Sequence, residues 1–176
     1  MRSVGQARTA EQVAIAKQWA MSGGTSRLQG HWNLVAADLV VRGRLSEHDA
    51  ARALAIMNLA MNDASIACFD AKYVYWLIRP SQADASITLP IPLSNHPAYP
   101  SSHSCTAGAG QETLAALFPG EATRMRGIAD SINISRLYGG VHYRFDMDTG
   151  MVMGQRVARL ALERDRTGGG LATLVR

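Results

Sequence analysis

Between Glu47 and Ile78 the chain runs without glycine or proline, and Leu54, Met57, Met61, Ala64 and Cys68 recur every three or four residues. That spacing lays them along one stripe of a helix, with Ser46 as its cap and Pro80 as its limit. Upstream, Thr9 and Gln12 have capping-box spacing and open a predicted helix that reaches about Met21, where Gly23-Gly24 stops it. A second helix is predicted over His31 to Arg42, with Gly43 as its end signal. Residues 80–101 hold five of the six prolines and read as a long loop, a feature that in a compact domain is often functional. Downstream the pattern gives a helix from near Ser102 to Leu117, a turn at Phe118-Pro119-Gly120, a helix over Glu121 to Tyr138 broken by Gly139-Gly140, and a last helix from about Tyr143 to Arg164. No strand-like alternation of any length occurs, nor any internal repeat. The expected fold is an all-α helical bundle over residues 10–166, with a flexible start at 1–9 and a flexible glycine-rich tail at 167–176.

A chain of 176 residues fits one domain with a real core. Hydrophobic residues make up 47% and charged ones 18%, the balance of a soluble globular protein. No segment approaches the roughly 20 apolar residues of a membrane span, and the first residues lack the apolar stretch of a signal peptide. The net charge is +4, but the only lysines are Lys17 and Lys72 and the arginines are scattered, so no nucleic-acid surface is indicated. A modest positive excess suits an anionic small-molecule substrate. Cys68 and Cys105 are too few for a disulfide framework or a zinc site and read as small buried hydrophobes.

Three stretches carry candidate chemistry. Lys72 and Arg79 lie seven residues apart at the end of the long helix, so they project from nearly one face. Two cations on an apolar helix are either a solvated basic edge or half of an anion site. Tyr99-Pro100-Ser101-Ser102-His103-Ser104 leads from the proline-rich loop into a helix. Its free N–H groups can be capped by a serine or offered to a phosphate-like anion. In Ser135-Arg136-Leu137-Tyr138-Gly139-Gly140-Val141-His142 the two glycines allow a tight turn that returns His142 beside Arg136. Asp146, four residues later, can take a proton bond from the imidazole and fix its tautomer. Together these groups would surround a tetrahedral dianion. Lys72, Arg79 and Arg136 give charge, Ser102 gives a hydroxyl, one histidine can attack in line and the other can protonate the leaving oxygen.

Lys72-x6-Arg79-Pro80, then Pro100-Ser101-Ser102-His103, then Ser135-Arg136-x5-His142-x3-Asp146 resemble, in order, the three-part signature shared by the type-2 phosphatidic acid phosphatases, the bacterial class A acid phosphatases and the vanadium-dependent haloperoxidases. His31-Trp32-Asn33, Asp70-Ala71-Lys72-Tyr73-Val74-Tyr75 and His96-Pro97-Ala98-Tyr99-Pro100-Ser101 are similar to segments of the soluble haloperoxidase-like branch. The resemblance spans roughly residues 30 to 165. It implies a helical bundle with the active site between its central helices. Lys72, Arg79, Ser102 and Arg136 would hold the oxyanion, and His142 would become phosphorylated, or ligate vanadium where vanadate is bound. His103 would be the acid–base residue, Asp146 would orient His142, and His96 would be an accessory histidine.

Two enzyme activities follow from the resemblance. One is hydrolysis of phosphate esters through a phosphohistidine on His142, with no cofactor. The alternative is oxidation of halide by hydrogen peroxide, with vanadate as cofactor. A third reading is a non-catalytic helical fragment or pseudo-enzyme. The resemblance implies a soluble, periplasmic or secreted protein. Members of that branch carry a larger helical region before the first motif, so truncation at the N-terminal side, or a homo-oligomeric partner covering it, is also expected.

Overall fold

The computed structural model describes residues 7–21 and 24–168; the expectations for 1–6, Gly23 and 169–176 lie outside these. α1 (Ala10–Gln18) begins at the expected capping box. The Thr9 hydroxyl accepts from the Gln12 amide at 3.2 Å and the Gln12 side chain accepts from the Thr9 amide at 3.1 Å. It stops three residues before Met21. Just before this helix, Arg8 donates to the Thr88 carbonyl at 3.1 Å. α2 (Arg27–Gly43) starts four residues earlier than predicted, and Arg44 rather than glycine takes the left-handed cap.

α3 (Glu47–Tyr75) is capped by Ser46 and buries the predicted stripe of Met57, Met61, Ala64 and Cys68. It ends three residues before Ile78 and five before Pro80. Trp76 turns left-handed at φ 48°, ψ 35°, and its amide closes the helix on the Lys72 carbonyl. Lys72 and Arg79, expected on one helical face, are instead separated by this turn: Lys72 lies in the last turn of α3 and Arg79 beyond its end. The loop from residue 80 holds one helical turn, α4 (Pro80–Ala83), with proline at its first position. α5 (Ser102–Leu117), α6 (Ala122–Tyr138) and α7 (Arg144–Arg166) follow, each within two residues of the sequence reading. Among the described residues there is no strand.

α5 is the central rod, packed against α3, α6 and α7. Its run Cys105 to Gly110 is buried throughout, because small side chains let neighbours come close. A Cβ at Gly110 would sit 2.7 Å from the Trp32 ring, and one at Gly150 would sit 2.6 Å from the Ser101 carbonyl oxygen. Trp32, Met57, Met61, Leu114, Met125 and Ile132 fill the core around this rod. Both cysteines are buried and unbridged.

Gly154 of α7 has its α-hydrogen face against the Cys105 carbonyl, and an added Cβ would also lie 2.8 Å from the Ala109 amide nitrogen. Backbone cannot yield as a flexible side chain can. Gly154→Ala is expected to destabilise the protein by about 2–3 kcal/mol in urea unfolding. Gly127→Ala, on an exposed helical face with nothing within 4 Å, is expected to stabilise it by up to about 1 kcal/mol.

Candidate active site

Arg79, Ser102, His103, Arg136, His142 and His96 line one cavity of about 490 Å³. Arg136 comes from the last turn of α6 and His142 from the bend before α7. Ser102 and His103 open α5, and Arg79 caps α4. Ser101, not Ser102, is the N-cap of α5, so the Ser102 side chain is left to the cavity.

The geometry around His142 fixes its tautomer. Asp146 Oδ2 lies 3.0 Å from His142 Nδ1 and also accepts from the Tyr143 amide at 3.0 Å. The pair is not stacked along one helix as the sequence spacing suggested. His142 precedes α7, while Asp146 caps its first turn. Arg79 Nη1 donates to His142 Nε2 at 2.8 Å, so Nε2 carries the lone pair and Nδ1 the proton. Burial, then the Arg79 charge, holds the imidazole neutral, well below the usual histidine range. Burial raises Asp146 to about 6, against the pull of the Tyr143 amide, Lys72 and Arg79.

Arg79 is the hub. It also donates to the Val141 carbonyl at 2.8 Å, to the His96 carbonyl at 3.0 Å and to His96 Nδ1 at 3.1 Å. Arg136 Nε donates to Ser135 Oγ at 2.9 Å, and its Nη2 reaches the Ala16 carbonyl at 3.4 Å. Desolvation lowers Arg79 to about 10 and Arg136 to about 9.

Lys72 departs from expectation. It is fully buried but does not line the cavity. Its ammonium donates to the carbonyls of Pro97, Ala98 and Pro100, which uses all three of its protons. It clamps the loop that delivers Ser102 and His103, and burial lowers it to about 8.

His103 Nε2 donates to the Trp19 carbonyl at 3.0 Å. Trp19 is itself anchored, its indole N–H donating to Ser131 Oγ at 2.8 Å. The sequence reading missed this segment after α1, which also brings Ala20 and Met21 to the cavity wall; no motif marks it, because the contact is through backbone. It missed Phe69 too, whose ring lies 5.2 Å from that of His96. Phe69 stands one position off the buried stripe, which was the available signal.

The PAP2 superfamily profile matches residues 52–166. No curated protein matches the chain. Among solved structures, a bacterial vanadium-dependent iodoperoxidase is 26% identical with a TM-score of 0.79, over 90% of this chain and 44% of its own. A bacterial vanadium-dependent chloroperoxidase is 17% identical with a TM-score of 0.76, over 92% of this chain and 45% of its own. A transmembrane PAP2-type phosphatidylglycerolphosphate phosphatase from Bacillus subtilis is 19% identical with a TM-score of 0.66, over 94% of this chain and 82% of its own. The chain thus spans under half the length of the two haloperoxidases. No helix among the described residues is long and apolar enough to cross a membrane.

The titration of the site makes stability depend on pH. Burial lowers His96 to about 4 and His103 to about 3, whereas an unfolded histidine binds its proton near pH 6.5. Below about pH 6.5 the unfolded state therefore takes up more protons, and stability falls progressively toward about pH 3. Asp146, raised to about 6, opposes this between about pH 6 and 4, because there the folded state binds the extra proton. Three lowered histidines outweigh one raised carboxyl. The melting temperature is expected to drop between about pH 7 and 4.5, and His103→Gln is expected to flatten that slope.

Proposed function

The chain belongs to the PAP2 superfamily, and within it we propose that this protein hydrolyses phosphate monoesters through a phosphohistidine on His142. One observation carries the reading. Arg79, Arg136 and Lys72 are buried against one buried carboxylate, Asp146, among the described residues, and two of the three, Arg79 and Arg136, line the cavity with His142, whose Nε2 accepts from Arg79. Unpaired buried cations are costly, and a dianion offsets that cost.

In this mechanism the phosphate takes donors from Arg79, Arg136, Ser102 and the start of α5. Arg79 passes from His142 Nε2 to the phosphoryl oxygens, which frees the lone pair. Nε2 attacks phosphorus as the P–O ester bond breaks, and Asp146 stabilises the positive ring that forms. The phosphate dianion offsets the Arg136 charge that, after burial, helps keep His103 neutral; His103 takes up a second proton with it and, as imidazolium released from the Trp19 carbonyl, passes its Nε2 proton to the leaving oxygen. Water then attacks phosphorus, the N–P bond breaks, and His103 recovers a proton. Lys72 acts by holding the loop and by its field.

Vanadate-dependent halide oxidation is the second reading, favoured by the likeness to the iodoperoxidase and by His96 held on Arg79 at the cavity wall. The donor set fits: His142 Nε2, Arg79, Arg136 and Ser102 would hold a vanadate. Vanadate, when bound, supplies activation of peroxide toward halide.

Hydrolysis of p-nitrophenyl phosphate is expected, with a phosphoryl group trapped on His142 after rapid quench. His142→Ala should reduce kcat at least about a thousandfold. Activity that survives this change contradicts the nucleophile. Bromination or iodination of a phenol dye with added vanadate and peroxide, in a protein that fails to hydrolyse phosphate esters, would select the second reading.

A further inference from the structure

Beside the oxyanion cavity lies a second, open cavity of about 470 Å³. Tyr73, Trp76 and Ile78 form one side of it, and Arg79, Leu93, Ser94 and His96 line both cavities. Aromatic rings step between the two. Trp76 to Tyr73 is 5.4 Å between centroids, Tyr73 to Phe69 is 6.4 Å and Phe69 to His96 is 5.2 Å. The series ends on Arg79, which donates to His96. These rings are exposed rather than packed away: Trp76 is 66% accessible and Tyr73 48%. Exposed apolar clusters of this kind mark binding surfaces. Trp76 also holds a left-handed backbone at φ 48°, uncommon for a bulky residue and concentrated at functional sites.

We infer that this ring-lined groove seats an aromatic leaving group, so that aryl monophosphate esters are the preferred substrate class. The inference rests on the hydrolytic reading. An aryl ring bonded to a phosphate oxygen can stack on the groove rings while its phosphoryl group reaches Arg79, because the two cavities share that wall. Stacked or edge-on rings are the favoured contact for such a partner. The position of His103 points the same way. Its Nε2 proton is given to the Trp19 carbonyl, so proton delivery to the leaving oxygen requires breaking that bond. A phenol is far more acidic than an alcohol, and a phenoxide departs with less help. The step balances as before: the N–P bond forms at His142, the P–O(aryl) bond breaks, and its electron pair leaves on the phenolic oxygen, which takes a proton from His103 or solvent.

The test compares binding of phenylphosphonate and methylphosphonate, which carry the same oxyanion, by calorimetry on the full chain, Trp76→Leu and Tyr73→Leu. Phenylphosphonate is expected to bind about tenfold tighter to the native chain, the scale of one ring contact. That ratio should fall toward one in both variants. Trp19 and Trp32 are buried, so indole emission should respond at Trp76, and to the phenyl compound alone. Equal affinity in the native chain, no binding of either, or a ratio that survives both substitutions overturns the inference. A native dimer with the Trp76 indole already shielded also overturns it, since a second copy then fills the groove. Hydrolysis of phenyl and ethyl phosphate with equal kcat/KM sinks the aryl site and keeps the hydrolase. Tight phenylphosphonate binding without any ester hydrolysis does the reverse.

Discussion

Two guanidinium groups and an ammonium lie buried within one end of this bundle, and Asp146 is the buried carboxylate set against them among the described residues. Folding that took such charges from water with no compensation would be heavily opposed. The fold compensates with carbonyl oxygens and one serine hydroxyl. Lys72 is taken up by the 97–100 loop, Arg79 by Val141 and His96, and Arg136 by Ser135 and weakly by Ala16. Dipoles offset charge only in part, which is why all three cations are shifted toward losing their protons. An anion in the cavity would restore them, and this is the proposed basis for oxyanion binding.

The same constraint explains the surrounding architecture. The small-residue rod of α5 lets α3, α6 and α7 approach closely enough for side chains from separate helices to share one cavity. The loop rich in proline has a structural role as well, because its carbonyls are the partners of Lys72 and Arg79. The segment after α1 closes the site from the other side through the Trp19 carbonyl, with the Trp19–Ser131 bond holding it there.

Much of this was legible in the sequence. Helical periodicity located α3, α5, α6 and α7, and the Thr9–Gln12 spacing identified a real capping box. Motif order brought Arg79, Ser102, His103, Arg136 and His142 to one cavity. What was not legible depended on backbone. Trp76 turning left-handed ends α3 early, and no local propensity announces it. Lys72 was expected to face the oxyanion, yet its protons go to main-chain oxygens that no motif encodes. Trp19 enters through its carbonyl, which every residue possesses. The match of the PAP2 superfamily to residues 52–166 falls on the motif-bearing helices and leaves α1 and α2 outside it.

Arg79, Arg136 and the His142 Nε2 are proposed to face one tetrahedral guest. A crystal structure of the chain soaked with orthovanadate tests this most directly. Vanadium bonded to His142 Nε2, with its oxygens on Arg79, Arg136 and the start of α5 and Arg79 withdrawn from the imidazole, is the predicted result. An anion held elsewhere, with Arg79 still bonded to His142 Nε2, would contradict the account.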